Sequence, residues 1–192
     1  MRKTGLILLF LLLLTACGKE AEEVNENRVE INQDGVMTVT SVDHMEADYF
    51  DARELRQMVE EEIAAYAPDA EEAPISIKKC SASGERFSLI MRYDSYEDYC
   101  AFNDLPAYYG TLELALQSSV ISGEELLWNP DRSLQTTAAE LADTGSYGLF
   151  VFAEASAVEM KKPVLYHGGA SEMTGEGAFV TEDSRAYFIF AM

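Results

Sequence analysis

Ala186-Tyr187-Phe188-Ile189-Phe190 runs almost to the end of the chain without a polar residue. A strand with one wet face alternates apolar and polar side chains, and this one does not. It is therefore expected to be buried on both faces, since an exposed run of this kind would be an aggregating edge. Working back from it, Leu149-Phe150-Val151-Phe152 reads as a second apolar strand. Residues 163–166, after Val158 and Met160, read as a third, and Gly168-Gly169 and residues 175–177 read as loops. The final third of the chain is expected to be rich in strands.

Further upstream the pattern mixes periods. Residues 36–42 are rich in β-branched side chains and read as a strand. Asp51 then suits a helix N-cap, with Glu54 three residues on, as in a capping box. Leu55, Met58, Val59, Ile63 and Tyr66 fall on one face at helical spacing, and Pro68 closes the segment. Ile75 and Ile77, a turn at Ser83-Gly84-Glu85, and Phe87, Leu89, Met91 and Tyr93 read as a hairpin. Ser95 caps a short helix, a further short helix is expected from Thr111 to about Ser118, and residues 119–137 give no clear pattern. The expected fold is α+β: a mostly antiparallel sheet with one long amphipathic helix (about 52–66) and two short helices packed on it.

The N-terminus predicts an address. Arg2 and Lys3 precede an apolar run over 6–14, too short for the roughly 20 residues a spanning helix needs. With small residues after it, the run suits a signal peptide. Leu14-Thr15-Ala16-Cys17 resembles the lipobox of bacterial lipoproteins, in which the cysteine receives a diacylglyceryl group before cleavage. The expected organisation is a signal peptide at 1–16, lipidated Cys17 and a flexible acidic tether over 17–34, and a single extracytoplasmic domain over 35–192. That places the protein at the outer face of a membrane, held by its lipid, with no other cofactor expected.

Charge and cysteines narrow the partners. The chain holds 14 basic and 34 acidic residues, a net charge of −20, which repels phosphate and argues against nucleic acid. Outside the cytoplasm a disulfide between Cys80 and Cys100 is permitted. Each also lies among apolar residues, where a free cysteine behaves as a small hydrophobe.

Tyr93-Asp94-Ser95-Tyr96-Glu97-Asp98-Tyr99-Cys100-Ala101-Phe102-Asn103 resembles the strand-to-helix segment of an uncharacterised lipoprotein family of Gram-positive bacteria. Asp48-Tyr49-Phe50-Asp51, Lys162-Pro163-Val164-Leu165-Tyr166 and Ala186-Tyr187-Phe188-Ile189 are similar to other landmarks of the same group. The resemblance covers most of residues 35–190 and implies a lipobox followed by one α+β domain. It carries over no catalytic residue, and cysteines at 80 and 100 are not part of its pattern.

Few residues offer chemistry. His44 and His167 are the only histidines, neither at metal-ligand spacing with another, and no HExxH, CxxC or calcium-loop pattern occurs. Asp43-His44-Met45-Glu46 reads as a polar link and Asp143-Thr144-Gly145 as a turn. Ser171 lacks the elbow of a nucleophilic serine, although His167 stands near it in sequence. Cys100, beside Glu97 and Asp98, lacks the electropositive setting a thiolate needs. No catalytic or metal residue is assigned. Tyr96, Tyr108, Tyr109 and Trp128 could line a ligand groove, because aromatic faces stack on sugar rings. The leading expectation is a non-enzymatic binding or interaction domain at the cell envelope, with an envelope protein or glycan as its partner. The alternatives are a small-ligand or glycan-binding lipoprotein, and an envelope hydrolase using dispersed carboxylates.

Overall fold

The computed structural model describes residues 26–44, 51–83, 86–174 and 177–192. The leader, Cys17, Met45 to Glu46, the segment before Asp51 and the tip of the first hairpin lie outside the described residues. Of those described, 45% are in strands and 23% in helices. The expected α+β class is overturned: the protein is mostly β, with two sheets and four short helices among the described residues.

Strands are numbered in chain order. The seven-stranded sheet contains β1 (Arg28–Ile31), β2 (Met37–His44), β3 (Ile75–Ser83), β4 (Arg86–Tyr93), β9 (Ser156–Met160), β11 (Ser171–Thr174) and β12 (Gly177–Val180). Their spatial order is β11-β12-β9-β1-β2-β4-β3. The six-stranded sheet contains β5 (Tyr108–Thr111), β6 (Leu126–Trp128), β7 (Gln135–Thr137), β8 (Tyr147–Phe152), β10 (Val164–Gly169) and β13 (Ala186–Ala191), in the order β5-β8-β13-β10-β6-β7. The β1–β9 pair is parallel, and the other described pairs are antiparallel.

Strand β13 explains the layering. It lies between β8 and β10, and Ala186 to Phe190 are all buried. Phe188 and Phe190 join Phe150 and Phe152 of β8 in one core, which they share with Ile31, Met37, Met91 and Tyr93 of the other sheet. Tyr187 and Ile189 point the opposite way, into a second core with Leu149, Val151, Leu112, Ala115 and Leu141. A strand with apolar side chains on both faces needs a cover on each, and here the covers are a sheet and a pair of helices. Each buried Phe contributes about 2 kcal/mol by removing its ring from water.

The helices are α1 (Ala52–Tyr66), α2 (Tyr96–Asn103), α3 (Leu112–Gln117) and α4 (Ala138–Thr144). Asp51 caps α1 by accepting from Arg53 N–H at 2.8 Å. The apolar stripe does not organise the domain, however: within α1 only Val59 and Ile63 are buried, and Met58 is 58% exposed. The helix flanks β3 instead of backing a whole sheet. Asp143 and Thr144, expected in a turn, end α4, and Gly168-Gly169, expected in a loop, finish β10.

The expected tether also loses its last part. Val29 and Ile31 are buried on β1, which pairs with β2 and β9 in mid-sheet, so the fold begins before the expected start near Gly35. The turn that follows uses Asn32, whose side chain accepts from Asp34 and Val36 N–H, and Gly35, whose φ of +84° suits glycine. No described helix is long and apolar enough to cross a membrane.

Candidate functional site

At the β9–β12 side of the seven-stranded sheet lies an open cavity of ≈ 510 Å³. That volume falls within the range of small-molecule sites. Strand β9 supplies Val158, Glu159 and Met160, and the β11–β12 hairpin supplies Met173, Ala178 and Phe179. Lys162, Pro163 and Val164 enter from the start of β10, and Glu26 and Arg28 from the start of the described chain. Val158 and Ala178 are buried, Met160, Val164 and Met173 half-buried, and Glu26 and Glu159 exposed. The cavity is thus open and lined by apolar and polar surface in about equal share.

The margin is internally compensated. Arg28 donates to Glu26 Oε1 at 3.2 Å and to Glu159 Oε2 at 3.4 Å, while Lys161 Nζ stands 3.7 Å from Glu159 Oε1. Lys162 Nζ lies 5.0 Å from the centre of the Phe190 ring, a cation–π contact that draws its stem across the core edge. Acids and bases pair with one another there, so no single sign of charge dominates the opening. Two methionines in the lining are flexible and polarisable, which suits apolar guests of varied shape.

The four aromatic candidates do not converge. The Tyr96 and Tyr108 rings pack together with centroids 5.3 Å apart, and Tyr108 Oη donates to Thr111 O at 2.9 Å. Burial, followed by the neighbouring Glu97, pushes the Tyr96 hydroxyl up to about 12. Tyr109 points to the other face of β5, where it stacks on Phe190 at 5.3 Å and donates to Gln33 O at 3.2 Å. Trp128 is on β6, with β8, β13 and β10 between it and β5. Four strand spacings put it about 19 Å away, too far for one sugar ring to be sandwiched. The tyrosines are packing residues with their hydroxyls satisfied.

The cysteines also stay apart. Both are free: Cys80 Sγ donates to Ala52 O at 3.2 Å, and Cys100 Sγ to Ala107 O at 3.3 Å while accepting from Ala107 N–H at 3.1 Å. Cys80 is thus held to the start of α1 and Cys100 to the loop after α2, and no bridge joins them. Burial pushes both thiols up, away from thiolate chemistry.

His167 and Ser171 do meet. His167 Nδ1 lies 3.0 Å from Ser171 Oγ, and the serine donates onward to Gly168 O at 2.6 Å. Both side chains are buried, and the hydroxyl proton is directed at a carbonyl, so the pair does not present a nucleophile to a substrate. Two acids, Glu154 and Asp183, share a second cavity of ≈ 460 Å³ with Arg185. Glu154 accepts from Tyr99 Oη, and Asp183 from Ala155 N–H at 3.0 Å, so each carboxylate holds a loop. Burial and that acid push the Tyr99 hydroxyl up. His44 is exposed on β2, with Met45 and Glu46 outside the described residues, and no described group of three or more metal-ligating side chains occurs.

The main cavity was not foreseen in the sequence. Its lining comes from 26–28, 157–164, Met173 and 177–179, segments that share no motif and meet through the β1–β9 and β9–β12 pairings. Compared with family models, curated proteins and solved structures, the chain has no significant match.

Proposed function

We propose that the protein is a lipid-anchored, extracytoplasmic binding domain that holds a small amphipathic ligand of the cell envelope without transforming it. The supporting observation is the open cavity beside β9, which mixes apolar side chains with balanced charges and has Glu26 and Arg28 in its wall. Glu26 is nine residues from Cys17. A fully extended chain of that length spans at most about 30 Å. With Cys17 acylated as its Leu-Thr-Ala-Cys context predicts, the opening stays close to the headgroups, where amphipathic molecules concentrate. Two acyl chains would make that attachment stable.

The reading has two separable tests. Cys17→Ser protein should leave the membrane fraction, and wild-type protein should gain the mass of a diacylglyceryl group; an unmodified, soluble wild type removes the anchor. Lauric acid and a lauroyl lysophospholipid, each below its micellar concentration, should raise the Tm of wild type by linkage. Met173→Glu, which puts a charge into the cavity, should lose most of that shift. No shift with either amphiphile, or an undiminished shift in the variant, removes the cavity.

A further inference from the structure

The charges around the cavity beside β9 are not equally engaged. Arg28 reaches Glu26 Oε1 and Glu159 Oε2, and Lys161 stands against Glu159 Oε1, so both oxygens of Glu159 have a base beside them. Lys162 differs. Among the described residues it has no ion-pair or hydrogen-bond partner, although the chain carries 34 acids. It is half-buried on the link between β9 and β10, and it lines the cavity next to Val164. What holds its ammonium is the Phe190 ring, 5.0 Å from Nζ to the ring centre. Phe190 is buried in β13, so that seat is fixed by the core. A ring face attracts a cation but cancels none of its charge, and the ammonium keeps donors to give.

We propose that Lys162 sets the specificity of the cavity, and that its ligand is a single-chain amphiphile with a compact anionic head, a carboxylate or a phosphate monoester. The head would sit on the Lys162 ammonium and the tail against Val158, Met160 and Met173, which share the lining with it. The assignment rests on the cavity reading above and adds the sign and the place of the ligand's charge. Glu26, Glu159 and Arg28 answer one another, so the charge that an incoming head meets unanswered is that of Lys162. A partly buried ammonium without a counter-ion gains from an anion that donates its lone pairs to it, and such charge-assisted bonds are the strong ones. The acidic surface elsewhere opposes entry only weakly, because salt screens it beyond about 8 Å.

The test is calorimetric binding of laurate, dodecyl phosphate and lauroyl lysophosphatidylcholine to the purified full chain at pH 7.5, each below its micellar concentration. Laurate is ionised there, and the third head carries no net charge. Wild type should bind at least one of the two anions about tenfold more tightly than the zwitterion, the scale of one charge-assisted bond. Lys162→Gln should remove that advantage and leave the zwitterion within about twofold, a change well under one power of ten in Kd. Lys162→Arg should keep it, and added salt should shrink it. Preference for laurate names a fatty acid as the source, and preference for dodecyl phosphate a phosphate-headed lipid. Equal affinity for all three in wild type overturns the assignment, as does an anion preference that persists in Lys162→Gln, or an equal loss for all three in that variant. Each of those results leaves the cavity standing as a binding site, whereas no binding of any of the three removes the cavity itself.

Discussion

Strand β13 and the β11–β12 hairpin are near neighbours in sequence and opposites in burial. In β13 five consecutive side chains are buried, divided between two cores. In the hairpin Ser171, Ala178 and Val180 are buried, while Glu172 and Thr174 are exposed and Met173 and Phe179 lie between. The first region is fixed because no other arrangement hides its rings. The second rests on a few contacts at a sheet edge, and it is there that the cavity lies. Regions of low local stability are where opening motions concentrate.

The largest expected effect is in the first region. Phe188→Ala should lower unfolding free energy by about 3–5 kcal/mol, read as a fall in urea midpoint, because the neighbouring sheet and strands cannot collapse into the space. Met173→Ala should lower it by about 1 kcal/mol, since the side chain is only partly removed from water. Equal losses would break the contrast. Close behind is Gly148→Ala on β8, where a Cβ would overlap the Phe190 ring. Overpacking of that kind costs about 1–3 kcal/mol, and Phe190→Leu in the same chain should recover part of it. No recovery would mean that the glycine serves the backbone and not the ring.

A smaller effect tests the helical cover over the second face of β13. Thr137 and Glu140 form a reciprocal cap on α4: Glu140 N–H donates to Thr137 Oγ1 at 3.3 Å and Thr137 N–H to Glu140 Oε2 at 3.1 Å. Thr137→Ala should cost about 1 kcal/mol. Helix content should fall while the aromatic signals of Phe150 and Phe188, which lie in the other core, stay in place. If those signals shift as well, the two cores are one cooperative unit and the contrast needs redrawing.

What could be read in the sequence follows the same division. The run ending in Phe190 was legible because five apolar residues in succession admit a single physical outcome, burial on both faces. Helices α1 and α4 differ in the same way: Asp51 announces one, whereas the cap of the other, Thr137, stands at the end of a stretch with no visible period, and the Thr137-to-Glu140 capping box was passed over. Strand β1 hid in a polar segment, because only Val29 and Ile31 alternate with Arg28 and Glu30; the Asp34-Gly35 turn after it was the available signal. Strands β6 and β7 have three residues each, too few for any period to show. Overlooking these short strands, and giving the well-capped α1 too much weight, is what turned a mostly β protein into an expected α+β one. The cavity could not be read at all, since its walls are brought together by pairing and not by spacing.

The smallest expected effect on stability is the most useful for function. Glu159 is exposed, and its contacts to Arg28 and Lys161 are surface pairs, worth about 0–1 kcal/mol each in water and salt. Glu159→Gln should therefore leave the urea midpoint almost unchanged. It also removes the acid that balances Arg28 across the cavity margin and leaves a net positive opening. Laurate should then bind more tightly and a neutral amphiphile no differently, with the gain shrinking as salt is raised. An effect on stability comparable to Thr137→Ala would place Glu159 in the architecture of the β1–β9 pair. An unchanged affinity for laurate would mean that ligand, if held, never passes the charged margin, and the cavity's opening would have to be sought on the hairpin side.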